Sequence, residues 1–105
     1  MNKLSQENFH NFIASGSKVV EFNADWCIDC KRIAPDLPAI EEKFNNDFQF
    51  AEIDVDDARD IAEQYHVKGI PTFIIFQEGV EQDRLHSRNA KTKQQIESFL
   101  SQVKK

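Results

Sequence analysis

Residues 20–31 read Val-Glu-Phe-Asn-Ala-Asp-Trp-Cys-Ile-Asp-Cys-Lys. The first part of this stretch belongs to an apolar segment, Lys18 to Asn23, that predicts a short and mostly buried β-strand. The second part places Cys27 and Cys30 close to the start of a segment whose apolar residues recur at helical spacing. A strand that leads through two closely spaced cysteines into a helix therefore forms the centre of the predicted fold.

The helix after the cysteines is long and contains two prolines. Its apolar residues repeat on one face at intervals of four, three and four positions, namely Ile33, Leu37, Ile40 and Phe44. Pro35 and Pro38 each lack an N–H group and crowd the carbonyl four residues earlier. We therefore expect a kink in this helix rather than a straight rod.

The segments on either side of this unit predict further helices and a strand. Upstream, Ser5 is a candidate N-cap of a first helix that Gly16 ends. Downstream, Phe48 to Val55 predicts a second strand, after which Asp56 and Asp57 are candidate caps of a third helix. The apolar faces of these two helices consist of Phe9, Phe12 and Ile13 in one and of Ala58, Ile61, Ala62 and Tyr65 in the other.

The last third of the chain predicts a hairpin followed by a helix. Thr72 to Gln77 forms a buried strand, Glu78-Gly79 a tight turn, and Val80 to His86 the antiparallel partner strand. Thr92 and Gln95 form a capping box that begins the final helix. The apolar face of that helix consists of Ile96, Phe99, Leu100 and Val103.

The predicted order of elements is α-β-α-β-α-β-β-α, which we interpret as a single α/β domain over residues 1–105. Helices between strands imply parallel crossovers and a sheet that is covered on both faces. The hairpin adds an antiparallel end, so the central sheet is expected to be mixed.

Composition narrows the class of protein. A chain of 105 residues with 40% hydrophobic residues builds a core without a disulfide scaffold, and it has only two cysteines. Its net charge of −5 disfavours nucleic acid as a partner, because phosphate binding needs clustered lysine and arginine. The sequence shows no signal-peptide pattern and no apolar run long enough to span a membrane. We therefore expect a cytoplasmic protein, in a compartment that keeps thiols reduced, and a monomer.

Two thiols separated by two residues at the start of a helix have the properties of a redox couple. The unpaired N–H groups of the helix N-terminus stabilise a thiolate at Cys27, which is the form that attacks a disulfide. Cys30, one turn away, then displaces the substrate from the mixed disulfide. The same spacing is also compatible with half of a zinc site or with a pair of inert structural cysteines. Zinc, however, needs four ligands, and the three histidines are scattered along the chain.

The stretch around the cysteines resembles the active-site segment of the thioredoxin family. The resemblance extends to Ile33-Ala34-Pro35 and to Gly69-Ile70-Pro71-Thr72, and it covers nearly the whole chain. It implies the thioredoxin fold, with a central sheet flanked by helices, and a protein-disulfide reductase that acts on client proteins or small disulfides. It also implies no bound cofactor or metal, because the redox-active disulfide receives electrons from NADPH through a thioredoxin-reductase-type flavoenzyme.

The same resemblance assigns residues around the cysteines. Pro71 corresponds to a cis-proline that sits against the sulfurs, and the backbone of Ile70 hydrogen-bonds the substrate peptide as an added strand. Trp26 and Ile28 flank the cysteines as substrate-binding residues, and Pro35 corresponds to the kink proline of the active-site helix. Two alternatives stay open: an ordinary trans proline at the start of a strand, and a tryptophan that belongs to the core.

The chain departs from the family between the cysteines. The pair Ile28-Asp29 stands where Gly-Pro is commonest. A carboxylate in the first turn of a helix is favourable in its own right. Because a like charge disfavours a thiolate, we hypothesise that Asp29 raises the pKa of Cys27 and makes the couple more reducing.

Two glutamates occupy notable positions beneath the cysteines. Glu21 stands where the family has a buried aspartate that moves the proton of the resolving thiol, and the resemblance carries that role to it. Glu52 stands where the family often has a lysine on the neighbouring strand. Two carboxyls that face each other do not both ionise readily, so we expect one to hold a proton near neutrality unless Glu52 turns to solvent.

The segment from Leu85 to Ala90 departs as well, because it is longer than in the family and lacks the usual glycine. We expect a narrower or more polar substrate groove. Beside a general reductase, three further functions therefore stay open: an electron donor to one partner such as a peroxidase, a non-catalytic binding module, and an oxidase or isomerase. The last of these normally needs an oxidising compartment.

Overall fold

A five-stranded mixed sheet forms the centre of the molecule. It is defined by a computed structural model that describes residues 1–103, so the last two residues of the predicted domain lie outside the described part. The strands are β1 (Asn2–Leu4), β2 (Ser17–Asn23), β3 (Gln49–Asp54), β4 (Thr72–Gln77) and β5 (Val80–Leu85). Across the sheet their order is β1-β3-β2-β4-β5. Strand β3 is parallel to β1 and β2, whereas β4 is antiparallel to β2 and β5.

The α-helices of the described residues pack on this sheet. They are α1 (Phe9–Ile13), α2 (Ile28–Ile33), α3 (Leu37–Lys43), α4 (Arg59–Gln64) and α5 (Lys93–Val103). The predicted kink is confirmed, because a 3₁₀ turn, Ala34–Asp36, separates α2 from α3. Pro35 lies in this turn and Pro38 in the first turn of α3, where a missing N–H group leaves no helical hydrogen bond unmade.

Hydrogen bonds at the start of α5 and backbone angles at the β4–β5 turn agree with the predictions. Thr92 Oγ1 accepts from the Gln95 N–H at 3.1 Å, and Gln95 Oε1 accepts from the Thr92 N–H at 3.2 Å, which completes the capping box. Glu78 and Gly79 have φ angles of 51° and 86°. Positive φ at both central residues is what a two-residue type I′ hairpin turn requires.

The N-terminal part of the chain contains one strand more than predicted. Strand β1 is three residues long, pairs in parallel with β3 and buries only Leu4. An alternating pattern does not show in so short a segment. Ser5 follows the strand, and its Oγ accepts from the Asn8 N–H at 3.3 Å in the turn that leads into α1.

The predicted caps of the third helix are wrong. Asp56 and Asp57 precede α4, and their backbone N–H groups donate to Asp54 Oδ1 at 2.8 and 3.3 Å. Ala58 occupies the N-cap position of α4, without a side-chain cap. Asp54, which is buried at the end of β3, therefore holds this turn.

Strand β5 ends at Leu85, one residue earlier than predicted.

Two apolar cores lie on opposite faces of the sheet. One contains Val19 together with residues of α2, α3 and α5, and the other contains Val20 and Phe22 together with residues of α1 and α4. Because side chains alternate along a strand, Glu21 shares a face with Val19 and lies on the side that α2 covers. Among residues 1–103, no helix is both long and apolar enough to cross a membrane.

Candidate active site

Cys27 and Cys30 lie where the chain passes from β2 into α2. Cys27 is the N-cap residue of α2, and its Sγ accepts a hydrogen bond from the Cys30 N–H at 3.1 Å. The two side chains form a disulfide, with Cα atoms 5.2 Å apart. Both are buried, Cys27 being 4% and Cys30 6% exposed. An N–H group aimed at the Cys27 sulfur also favours its thiolate once the disulfide is reduced.

The segment before β4 packs against these sulfurs. The Ile70–Pro71 peptide bond is cis, as the resemblance implies, so the alternative of an ordinary trans proline is wrong. The Ile70 carbonyl oxygen lies 3.6 Å from Cys27 Sγ. Ile70 also packs on the small apolar cluster that Ala24 forms with the two cysteines. A polypeptide that pairs with this backbone is therefore held next to the disulfide.

Two exposed apolar side chains flank the disulfide in the sequence. Trp26 is 66% and Ile28 71% exposed. The Trp26 Nε1–H donates to Asp56 Oδ2 at 2.7 Å, which anchors the indole to the loop after β3. Trp26 is thus not a core residue, and that alternative is wrong. Exposed aromatic and aliphatic groups beside a reactive centre are typical of contact surfaces.

Glu21 and Glu52 face each other across β2 and β3. They are register partners in the parallel pair, and Glu21 is 2% exposed. The Asn23 side-chain amide bridges them, donating to Glu21 Oε1 at 3.2 Å and to Glu52 Oε1 at 2.8 Å. Burial, followed by the charge of Glu52, raises the pKa of Glu21 to about 7, while the Asn23 hydrogen bond opposes the rise. The Glu52 side chain therefore points toward Glu21 and Asn23 and is not turned to solvent alone.

An open cleft of about 370 Å³ borders the Cys30 side of the disulfide. Asn23 and Glu52 line it as well, together with Lys3, which is the register partner of Glu52 on β1. Glu52 and Cys30 thus adjoin a common space that is large enough for water, and Asn23 joins Glu52 to the buried Glu21. Asn23 was not among the predicted site residues. Its place two positions after Glu21 puts both on one face of the strand, so the strand pattern contained the necessary information.

Asp29 is engaged by two cations. Lys91 Nζ lies 2.6 Å from Asp29 Oδ2, and Arg32 Nη1 lies 3.2 Å from Asp29 Oδ1. The hydrogen bond from Lys91 is the main cause that lowers the pKa of Asp29, so this side chain is a carboxylate that pairs with both cations. Lys91 is 62 residues away in the chain. No local pattern indicates such a contact, so it could not be predicted from the sequence.

The segment between β5 and α5 borders the cis-proline segment. Ser87–Asn89 forms a 3₁₀ turn, and the Ser87 side chain packs directly against Gly69. A Cβ atom at position 69 would collide with Ser87, so the turn closely covers the backbone that precedes Ile70. Within residues 1–103, no three His, Cys, Asp or Glu side chains are grouped so as to hold a metal ion.

Comparisons with known proteins agree with this geometry. The Thioredoxin family model matches residues 1–102. Thioredoxin from Chlamydia caviae is 40% identical over 82 residues, which cover 78% of this chain and 79% of that protein. Thioredoxin from Oryctolagus cuniculus is 41% identical over 85 residues, which cover 81% and 77% respectively. One solved structure with a similar fold comes from work on the thiol resolving mechanism of yeast mitochondrial 1-Cys peroxiredoxin via glutathione/thioredoxin systems. The TM-score is 0.84 at 27% identity, and the match covers 97% of this chain and 94% of that one.

The shared fold and the reactive pair lead to one conclusion. The Cys27–Cys30 disulfide lies beside a cis-proline, on the sheet topology that the resemblance implied. This combination, together with relatives that are thioredoxins, disfavours an inert cysteine pair and a non-catalytic binding module. The protein is a thiol–disulfide oxidoreductase that reduces protein disulfides, and its chain belongs to the thioredoxin family.

Proposed function

We propose that Cys27 is the nucleophile and Cys30 the resolving cysteine in the reduction of client disulfides. The Cys27 thiolate attacks one sulfur of the client disulfide, and the other client sulfur leaves as a thiolate. Cys30 then attacks Cys27 Sγ in the mixed disulfide, which releases the second client thiolate and forms the Cys27–Cys30 disulfide, so two electrons pass to the client. The observation that carries this assignment is the Cys30 N–H group, which points at the Cys27 sulfur.

Glu21 and Glu52 take up the proton that Cys30 must lose in the second step. Glu52 lines the same cleft as Cys30, and Asn23 joins its carboxyl to that of Glu21. With a pKa of about 7, Glu21 exchanges a proton near neutral pH. A water molecule in the cleft relays the proton between the sulfur and the glutamate pair.

The client chain lies along the cis-proline segment as an added strand. Its backbone hydrogen-bonds to Ile70, next to Pro71, which brings its disulfide to Cys27. Trp26 and Ile28 contact apolar groups of the client near that disulfide. Their exposure and the anchoring of the indole support this role.

The oxidised protein is recycled by a thioredoxin-reductase-type flavoenzyme that supplies electrons from NADPH. Membership of the family supports such a partner, together with disulfide-containing clients and the absence of a bound prosthetic group. The protein acts as a monomer in the cytoplasm, where a reducing environment keeps Cys27 and Cys30 available as thiols.

A second candidate function is electron donation to a restricted class of partner, such as a peroxidase. Ser87 fills the space beside Gly69 in a segment where the family commonly has a glycine, and this favours a narrower set of clients.

Trapping of mixed disulfides tests the roles of the two cysteines. In Cys30→Ser, the adduct between Cys27 and a client is not resolved, so we expect covalent complexes in a cell extract that dithiothreitol releases. Cys27→Ser is the matched control and should trap almost nothing. Equal trapping by the two variants, or trapping by neither, would contradict the assignment.

A further inference from the structure

A cavity with basic walls lies next to the cis-proline segment. Its volume is about 460 Å³, and the residues that line it are His66, Lys68, Gly69, Thr72, Arg84, His86, Ser87 and Arg88. We call it the basic cavity. None of these lining residues is acidic, although the chain as a whole carries a net charge of −5. The cavity is therefore a local concentration of cationic groups on an acidic protein.

Two of the cations in the basic cavity remain available to a ligand. Arg84 is already engaged, because its Nε and Nη2 donate to Glu81 at 2.6 and 2.8 Å and Nη2 also donates to the Tyr65 carbonyl oxygen at 2.7 Å. Lys68 and Arg88 are both exposed. No carboxylate within residues 1–103 forms an ion pair with either of them. Arg84 is thus a structural part of the cavity wall, held by Glu81 and Tyr65, whereas Lys68 and Arg88 can bind an anion.

The position of the basic cavity indicates what kind of anion it meets. Gly69 and Thr72 flank the cis peptide bond, and the Ile70 carbonyl oxygen lies 3.6 Å from Cys27 Sγ. A group that enters the cavity is therefore close to any client chain whose disulfide reaches Cys27. Arg88 belongs to the 3₁₀ turn that also covers Gly69, so one element both narrows the site and brings a cation to it.

We propose that the basic cavity binds the carboxylate side chains of an acidic peptide segment beside the disulfide of a client protein, and thereby selects clients. This inference rests on the proposed function, because the client must present its disulfide to Cys27. Lys68 pairs with a carboxylate as a point charge and Arg88 through its planar fork of donors. Complementary charge raises the rate of productive association and excludes basic segments.

Two disulfide-bonded peptides of equal length test the inference. One carries aspartate and glutamate beside the disulfide, and the other carries asparagine and glutamine at the same places. With dithiothreitol as electron source and at low ionic strength, the wild type should reduce the acidic peptide with the higher kcat/KM. Lys68→Gln/Arg88→Gln should lower kcat/KM for the acidic peptide about tenfold and leave the neutral peptide unchanged.

Lys43→Gln/Arg59→Gln is the control for net charge, because it removes two positive charges from exposed positions on α3 and α4, one of them the partner of Glu97. It should preserve the ratio of the two kcat/KM values. The inference is overturned if both double variants change this ratio equally, or if Lys68→Gln/Arg88→Gln slows both peptides alike. Glutathione disulfide is a small disulfide with free carboxylates. The inference is also overturned if Lys68→Gln/Arg88→Gln slows reduction of glutathione disulfide as strongly as it slows reduction of the acidic peptide. A wild type that reduces neither peptide would contradict the proposed function, and the inference with it.

Discussion

Asp29 places a carboxylate in the first turn of α2, two residues after Cys27. A negative charge so close disfavours the Cys27 thiolate. Lys91 Nζ at 2.6 Å and Arg32 Nη1 at 3.2 Å oppose the effect of that charge. The influence of Asp29 on the pKa of Cys27 therefore depends on both cations, and the shorter contact comes from a lysine in the segment before α5.

Removal of this lysine should change the acidity of the nucleophile. Lys91→Met should raise the pKa of Cys27 in the reduced protein, because the Asp29 carboxylate is then less compensated. Asp29→Asn should lower the pKa of Cys27, and the double variant should stay closer to Asp29→Asn, since Lys91 acts through Asp29. The pH dependence of thiolate absorbance or of the alkylation rate measures these shifts.

Lys93→Met separates this effect from a general loss of positive charge. Lys93 pairs with Glu97 at 4.0 Å, on α5, so its loss should leave the pKa of Cys27 near the wild-type value. Equal shifts in Lys91→Met and Lys93→Met would rule out a specific role for the bridge to Asp29.

At the scale of secondary-structure elements, predictions succeeded where neighbouring residues decide the outcome. The proline kink and the hairpin turn at Glu78-Gly79 depend on residues next to one another, and both were predicted. Strand β1 depends on its pairing with β3, and three residues alone do not show it. The predicted caps of α4 failed because Asp54, at the buried end of β3, takes the N–H groups of that turn.

The contacts of the active site also divide into those that could be predicted from the sequence and those that depend on distant parts of the chain. The resemblance brought together Cys27, Cys30 and the cis-proline, and their packing agrees with it. The contact between Asp29 and Lys91 joins elements 62 residues apart, and nothing local in the sequence specifies it. Contacts of this kind require the assembled fold, because the sheet and helices decide which distant side chains meet.

The packing between Gly69 and the 3₁₀ turn Ser87–Asn89 is one such contact and can be tested directly. A Cβ atom at position 69 would lie 3.3 Å from Ser87 Cβ and still closer to Ser87 Oγ. Gly69→Ala should therefore lower the free energy of unfolding by about 1 to 2 kcal/mol in chemical denaturation, because the turn must shift. In a Ser87→Gly background, the same substitution should have little effect. Equal destabilisation in both backgrounds would show that the two elements are not coupled.

At the scale of the whole molecule, a row of charged side chains crosses the sheet from its edge to its interior. Lys3, Glu52 and Glu21 are successive register partners on β1, β3 and β2. Lys3 is exposed at the edge, whereas Glu21 is buried beneath α2. The folded state thus encloses a carboxyl group that is easier to ionise in the unfolded chain, and this couples global stability to pH.

The sign of this coupling follows from the pKa of Glu21, which folding raises from 4.5 to about 7. Below the lower value, the carboxyl is protonated in both the folded and the unfolded state and contributes no pH dependence. Between the two values, the unfolded chain releases a proton that the folded protein retains, so the free energy of unfolding falls as pH rises. Above the higher value, the free energy of unfolding falls no further on account of Glu21. The total decrease is about 3 kcal/mol, at 1.36 kcal/mol per pKa unit.

Glu21→Gln should remove this pH dependence. In the oxidised protein, in which Cys27 and Cys30 do not titrate, the free energy of unfolding of the wild type should fall between pH 5 and pH 8 by about 2 to 3 kcal/mol more than that of the variant, as measured by urea denaturation. The same pH dependence in both proteins would contradict a raised pKa at Glu21. Glu52→Gln should retain most of the fall, because burial is the larger cause of the raised pKa and the charge of Glu52 the smaller. Loss of the whole fall in Glu52→Gln would instead show that repulsion within the pair, rather than burial, sets the acidity of Glu21.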